Sequence, residues 1–420
     1  MTKPRSRCHP SLLHAGTTAP ATSAPINAAL TLGAGSDKQQ LVMGDADFDQ
    51  ISIAGGNGDR IVLGNGDFDA VTITSGSNDT LTAGDGLADT LAVDDGDHNR
   101  LKIGNGDFDT VSIESGNYNT LTAGRGSNDV LLVGSGDGNM LRAGGADATL
   151  SVGSGNDNVL AVLTGDRASM TIGAGNGNLL DGGSGNADFL HLLNGDGNAL
   201  LVGNGAHDFL ELDAGDGNSL RTGDGFADII LVGTGNLNVL ILGDGDQDTA
   251  SIGTGDRNHI IAGNGQGDVI LGPNGHDNVL AGGGGTDTLI GGTGNDTLIA
   301  GTGGGTLTGG GGGDTYVLNA TGADRIKDTA ADLTGAKVMR FSTQDIIDLT
   351  DVAYGSKTTL AFTGGAALGT LTLSDGTHSA SLLLYGHYAA AGFDMAGDAA
   401  SGTLVTYTPP PNPQLITASH

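Results

Sequence analysis

The stretch Gly64-Asn65-Gly66-Asp67-Phe68-Asp69-Ala70-Val71-Thr72-Ile73 decides the fold, because it recurs. Gly223-Asp224-Gly225-Phe226-Ala227-Asp228-Ile229-Ile230-Leu231-Val232 is another copy, and the unit G-x-G-x-x-D/N-x-L-x-V/I/A returns every ten residues between Leu41 and Leu280. A short fixed period implies a solenoid, in which each unit buries its apolar face only by stacking on its neighbours. The anchors are Leu41, Ile51, Ile61, Val71, Leu81, Leu91, Leu101, Val111, Leu121, Leu131 and Leu141. One deletion then shifts the register, and the series runs on through Leu150, Leu160, Met170 and Leu180 to Leu280, with Ala250 as the one small substitute. The anchor and the residue two further on are both apolar, as a strand with one buried face requires. The glycines just before them supply positive backbone angles for a turn.

The repeats alternate, so the true period is twenty. Two residues before the anchor, one row reads Asp49, Asp69, Asp89, Asp109, Asp129, Ala148, Ala168, Asp188, Asp208, Asp228, Asp248, Asp268. The other reads Asp59, Asp79, Asn99, Asn119, Asn139, Asn158, Asn178, Asn198, Asn218, Asn238, Asn258, Asn278. Two rows imply two edges of a flattened coil, each visited once per turn. An asparagine edge can form a ladder, each amide bonding to the coil above and the turn backbone below. Carboxylates stacked about 4.8 Å apart repel one another, so an aspartate edge is expected to need a positive charge in place of a ladder.

Composition supports that reading. Glycine supplies 78 of 420 residues, Trp is absent, and only 6 Tyr and 9 Phe are present, so the core is thin and aliphatic. Of the prolines only Pro273 lies inside the repeats, which suits a long run of paired strands. The net charge is -31, from 48 acids against 17 bases. Such a chain repels itself when compact unless cations neutralise it, and nucleic acid and anionic lipid surfaces are poor partners for it. Cys8 is the one cysteine, so no intramolecular disulfide forms and metal is the obvious staple. The N-terminus is basic but lacks an apolar signal-peptide core, and no stretch approaches a transmembrane span.

Residues 1–30, rich in Pro, Ser, Thr and Ala, read as a disordered arm, and 31–281 as the decapeptide solenoid. From Gly282 the period shortens to nine: Gly282-Gly283-Gly284-Gly285-Thr286-Asp287-Thr288-Leu289-Ile290, then Gly291-Gly292-Thr293-Gly294-Asn295-Asp296-Thr297-Leu298-Ile299. A degenerate copy follows, then Gly309-Gly310-Gly311-Gly312-Gly313-Asp314-Thr315-Tyr316-Val317, so this segment spans 282–319. Residues 320–408 carry alternating strands, including Thr359–Phe362, Thr370–Leu373 and Ser381–Leu384, and read as a small all-β cap. Residues 409–420 form a Pro-rich tail.

The nonapeptide GGxGxDxUx brings turn carbonyls and a carboxylate together twice over, an all-oxygen environment that suits calcium. Residues 282–317 resemble the repeats-in-toxin (haemolysin-type) calcium-binding repeat. That resemblance implies an all-β parallel β-roll, or β-solenoid, with Ca2+ between coils. It implies Asp287, Asp296 and Asp314 as carboxylate ligands, with the backbone of Gly283, Gly285, Gly292, Gly294, Gly310 and Gly312. The decapeptides have one more residue between the second glycine and the acid, so Asp49, Asp69, Asp89, Asp109, Asp129, Asp188, Asp208, Asp228, Asp248 and Asp268 are candidate ligands as a variant of the pattern. The other reading of these acids is structural, since Asp in a glycine-rich turn bonds nearby backbone N–H groups. Both stay open, as does any metal role of Asp59 and Asp79. Ala148 and Ala168 should weaken ion binding locally, with Asp147 and Asp166 close by. The acid rows suggest on the order of ten ions.

Gly369-Thr370-Leu371-Thr372-Leu373-Ser374-Asp375-Gly376-Thr377-His378, Leu384-Tyr385-Gly386-His387-Tyr388 and Gly402-Thr403-Leu404-Val405 resemble a module ending many alphaproteobacterial secreted calcium-binding proteins. Such proteins are similar to type I secretion substrates, which implies an extracellular protein exported by that machinery. A structural, cell-surface or adhesion role is expected, with no catalysis. A polysaccharide lyase on a β-helix, or a non-catalytic relative of one, would call for long inserted loops and clustered bases. Only nine bases fall between 31 and 281, scattered along the sequence, and His191, His207, His259 and His276 occupy unrelated repeat positions. An ice-binding solenoid would need a regular threonine array, whereas the outward positions read Thr72, Ala92, Ser112, Leu132 and Thr82, Lys102, Thr122, Arg142. Ile229, Leu231, Val239 and Ile241 suggest an apolar strip for self-association.

Overall fold

The computed structural model describes residues 21–22, 29–33, 35, 37–365 and 367–411. Most of the expected disordered arm and of the Pro-rich tail lies outside the described residues, but the arm is not disordered at Ala21–Thr22 and Ala29–Leu32, which pair in parallel with Leu41–Val42 and Gln50–Ile53. The chain is an all-β parallel β-solenoid, as its period predicts, with one single-turn 3-10 helix at Ala390–Gly392 among the described residues. No helix there is long and apolar enough to cross a membrane. It divides into two compact units, Met1–Glu211 and Leu212–His420.

In the first unit, strands ten residues apart belong to different sheets, and strands twenty apart pair in parallel. Thr90–Asp95, Thr110–Ser115 and Val130–Ser135 follow one another in one sheet, with Val111 opposite Leu91 and Leu131. Arg100–Lys102, Thr120–Thr122 and Met140–Ala143 do so in the other, with Leu121 opposite Leu101 and Leu141. The deletion shortens one step, so Leu141 pairs with Leu160 and the period then resumes. Leu81, Leu91, Leu101, Val111, Leu121 and Leu131 are all fully buried. Each such side chain stabilises the stack by about 1.5–3 kcal/mol, which offsets the glycine-rich entropy cost of the turns.

The second unit repeats the plan. Val239–Ile241, His259–Ile261, Val279–Ala281, Thr297–Ile299, Thr315–Val317 and Lys337–Met339 pair in series in one sheet. Ile229–Thr234, Thr249–Thr254, Val269–Leu271, Asp287–Ile290, Gly305–Thr308, Asp324–Asp328 and Ile346–Leu349 do so in the other. Parallel pairing therefore runs past residue 319, through three strands, Asp324–Asp328, Lys337–Met339 and Ile346–Leu349, that the sequence assigned to the cap. Antiparallel strands follow: Thr359–Gly364, Leu368–Ser374 and Ser379–Tyr385 form a meander, and Phe393–Gly397 pairs with Thr403–Tyr407. Phe362, Tyr388, Phe393 and Tyr407 pack together there, with ring centroids 4.8–6.2 Å apart.

The apolar strip expected from Ile229, Leu231, Val239 and Ile241 does not form. Ile229 and Leu231 lie in one sheet, and Val239 and Ile241 in the other, because a ten-residue step changes sheets. Thr249, Ser251 and His259 interrupt each face in register.

Candidate metal site

The polar residue two before each anchor shares the anchor's face of the strand, since alternation puts both on the same side. It therefore points inside the coil. Asp69, Asp89, Asp109, Asp129, Asp188, Asp248, Asp268, Asp287, Asp296 and Asp314 are at most 2 % exposed.

The aspartates do form a ladder, which corrects the sequence expectation. In the first unit the backbone N–H of Asp49 donates to Asp69 Oδ1 (2.8 Å), Asp69 to Asp89 (3.0 Å), Asp89 to Asp109 (2.8 Å) and Asp109 to Asp129 (3.1 Å). Ala148 and Ala168 interrupt the row, and it resumes where the Ala168 N–H donates to Asp188 Oδ1 and the Asp188 N–H to Asp208 Oδ1. In the second unit Asp228, Asp248 and Asp268 donate in turn to Asp248, Asp268 and Asp287. A carboxylate oxygen accepts a backbone N–H as well as an amide oxygen does, so both residue types can carry the ladder. At the interruption Asp147 supplies no inner ligand, because Arg167 holds it 2.6 Å away on the surface.

The second side-chain atom separates the two rows. Asn99, Asn139, Asn238 and Asn258 each donate from Nδ2 to a glycine carbonyl of the preceding coil: Gly76, Gly116, Gly215 and Gly235, at 2.9–3.0 Å. In the aspartate row an oxygen stands where that nitrogen would be. A Cβ placed on Gly96 would lie 1.7 Å from the Gly76 carbonyl oxygen and 2.8 Å from Asn99 Nδ2. One placed on Gly106 would lie 1.5 Å from the Gly86 carbonyl oxygen and 3.2 Å from Asp109 Oδ2. The inner glycine thus leaves a cradle lined by two acceptors and no donor. Oδ2 of Asp69, Asp89, Asp109, Asp129, Asp188, Asp248, Asp268, Asp287, Asp296 and Asp314 is buried without a hydrogen-bond partner.

Burial pushes these carboxyls up, against the ladder bond, which lowers them. Asp69, Asp89, Asp129 and Asp296 rise to about 6, and Asp109, Asp188, Asp248, Asp287 and Asp314 to about 7. Neighbouring carboxylates add to the rise at Asp109, where Asp129 and Asp89 flank it, and at Asp188 beside Asp208. Each site therefore calls for a proton on Oδ2 or a cation between the two oxygens. An all-oxygen donor set fits a hard cation such as calcium.

The nonapeptide acids divide between the rows. Asp287 extends the aspartate row, whereas Asp296 and Asp314 continue the asparagine row: Asn278 N–H donates to Asp296 Oδ1 (3.0 Å) and Asp296 N–H to Asp314 Oδ1 (2.8 Å). Of the six glycines implied as backbone ligands, Gly283, Gly292, Gly294, Gly310 and Gly312 have positive φ and Gly285 does not. The carbonyls of Gly292 and Gly294 face Gly310 and Gly312 so closely that neither could carry a Cβ. Gly283 already accepts a bond from the Thr302 N–H. At the other end of the asparagine row, Asp59 and Asp79 join the same ladder, and the Oδ2 of each is unpartnered.

Sequence reasoning missed Asp324, which is buried, has an unpartnered Oδ1 and is raised to about 6. Its signal was present: Asp324 precedes the buried Ile326 by two residues, as every row member precedes its anchor.

The outer turn acids do something else. Here the ladder runs the other way, the later coil's N–H donating to the earlier side chain, as Asn65 does to Asp45 (2.9 Å), Asp85 to Asn65 (3.1 Å) and Asn105 to Asp85 (2.8 Å). Asp47 and Asp67 accept from Asp67 and Leu87 in the same fashion. These exposed acids hold the turns in register, the structural reading of a turn aspartate.

No family model matches the chain, and no curated protein matches it. Among solved structures it is similar to a tailspike protein of the Escherichia coli bacteriophage HK620 solved in complex with a hexasaccharide, at 8% identity and a TM-score of 0.26, over 92% of this chain and 83% of that one.

Proposed function

We propose that this protein is an extracellular, calcium-binding β-solenoid with a structural or cell-surface role and no catalytic activity. The observation that carries the reading is the row of buried Oδ2 atoms facing glycine carbonyls without a donor between them. At neutral pH a stack of ionised carboxylates inside the coil is strongly unfavourable, and calcium bound by Oδ2 and the glycine carbonyls would neutralise it. The resemblance of residues 282–317 to the repeats-in-toxin repeat supports calcium as the ion. The C-terminal resemblance supports export by type I secretion machinery as an unfolded chain, with folding driven by millimolar calcium outside.

Calcium titration of the full chain, followed by far-UV circular dichroism at pH 7.5, tests this. The β signal and the urea midpoint should rise with calcium and fall in EDTA. A spectrum already folded in EDTA and indifferent to calcium would overturn it.

A further inference from the structure

Four of the nine bases between residues 31 and 281 gather on one face. Arg100, Lys102 and Arg142 stand on outward positions of one sheet in the first unit, where Arg100, Thr120 and Met140 are in register and so are Lys102, Thr122 and Arg142. Arg125 sits on the turn of the middle coil, its N–H bonded to Asn105 Oδ1. Arg100, Arg125 and Arg142 line a groove of about 730 Å³ that crosses the strands and also contains Thr120, Thr122, Met140 and Leu163.

The groove owes its end wall to a substitution in the repeat. Leu163 stands three residues after its anchor Leu160, the corner position that Gly84, Gly104 and Gly124 hold after Leu81, Leu101 and Leu121. Leu163 is 56% exposed there, a large apolar side chain where glycine suffices. Among the described residues, Arg100, Arg125 and Arg142 form no ion pair, in a chain with 48 acids. Three unpaired guanidinium groups, two threonine hydroxyls and an apolar wall make a surface for an elongated anion with hydroxyls and C–H faces.

From these features we infer that the groove binds an acidic polysaccharide, one carrying a uronate carboxylate on alternate sugars. On the strand face Arg100 and Arg142 lie two coils apart, about 10 Å along the stack at ordinary strand spacing, with the uncharged Thr120 and Thr122 between them and Arg125 off to the turn side, so charge on alternate sugars fits that face better than charge on every unit. Duplex nucleic acid, with a charge about every 1.7 Å, is disfavoured. Asp85, Asp97 and Asp107 stand on turns of these same coils and would repel so dense a polyanion.

The test uses the full chain in millimolar calcium and a fluorescently labelled hyaluronate octasaccharide, read by anisotropy, with an N-acetylglucosamine hexamer and oligo-dT as comparison ligands. Hyaluronate should bind and the other two should not. Replacing Arg100, Arg125 and Arg142 by Ser together should weaken binding roughly tenfold or more, and Arg142→Ser alone by a smaller factor. Arg221→Ser and Arg257→Ser should leave it unchanged, and all variants should keep the parent circular dichroism spectrum. No hyaluronate binding, binding indifferent to the groove arginines, or equal binding of oligo-dT would each overturn the proposal. The assay repeated without calcium separates it from the calcium reading: a folded, calcium-indifferent protein that still binds through these arginines sinks that reading and leaves this one standing.

Discussion

The side-chain amide of Asn99 donates to the carbonyl oxygen of Gly76, 2.9 Å away in the preceding coil. Asp109 meets Gly86 in the equivalent place with an oxygen in place of the nitrogen, and its Oδ2 has no partner. Asp109→Asn should therefore make the missing bond and remove a buried acceptor. In EDTA at pH 7.5 the substitution should stabilise the fold by about 1–3 kcal/mol in urea denaturation, while in calcium the gain shrinks because one ion site is lost. Destabilisation in EDTA would show that Oδ2 is satisfied in some other way.

The raised carboxyls set the pH dependence of the metal-free protein. Asp109, Asp188, Asp248, Asp287 and Asp314 stand at about 7 when folded, above an unfolded value of roughly 3.9. Below that unfolded value the carboxyls are protonated in both states and the fold keeps its full stability. As pH rises toward and through about 7, the unfolded state ionises first and stability is lost. Urea midpoints in EDTA should fall steadily from pH 4 to pH 8, and millimolar calcium should cancel most of the fall at the upper end. A midpoint that rises with pH in EDTA would contradict the buried-acid assignment.

Gly106 tests the close approach of the coils. A Cβ there would lie 1.5 Å from the Gly86 carbonyl oxygen, an atom of the backbone that cannot swing aside. Gly106→Ala should destabilise by at least about 1–3 kcal/mol and lower the apparent calcium affinity, since it enters the same cradle. Gly197→Ala makes a useful comparison: its Cβ would meet nothing, and its cost comes only from the positive φ of 64°.

The period made the solenoid legible, because a ten-residue step with two apolar positions leaves few other ways to bury Leu101 or Val111. The alternation of Asp109 with Asn119 likewise showed that two rows exist. What it concealed was direction. The same strand alternation that buries Leu101 also buries Asn99, so the acids face inward from a glycine-rich turn that reads as surface. Long-range placement was harder still: Arg100, Arg125 and Arg142 lie far apart in sequence, and only the twenty-residue return brings them to one face. The structure also keeps the row alive at Asp324, where the flanking glycine pattern has faded but the spacing to Ile326 has not.

Phe108 occupies a turn position with φ of 64°, where Gly138, Gly177, Gly197 and Gly217 take nearly the same angle without strain. Its ring is 58% exposed, so burial returns little of the cost, whereas Phe48 and Phe68 stack on each other at 5.1 Å. A bulky residue in the left-handed region costs about 1–2 kcal/mol, and glycine gives back roughly half of that gain through the freedom of its unfolded state. Phe108→Gly should thus raise stability slightly, by about 0.5–1 kcal/mol in calcium-loaded thermal or urea unfolding. Phe68→Gly should gain less or lose, because it also breaks a stacked pair. Equal effects at both positions would show that the Phe48–Phe68 stack contributes nothing to the turn edge.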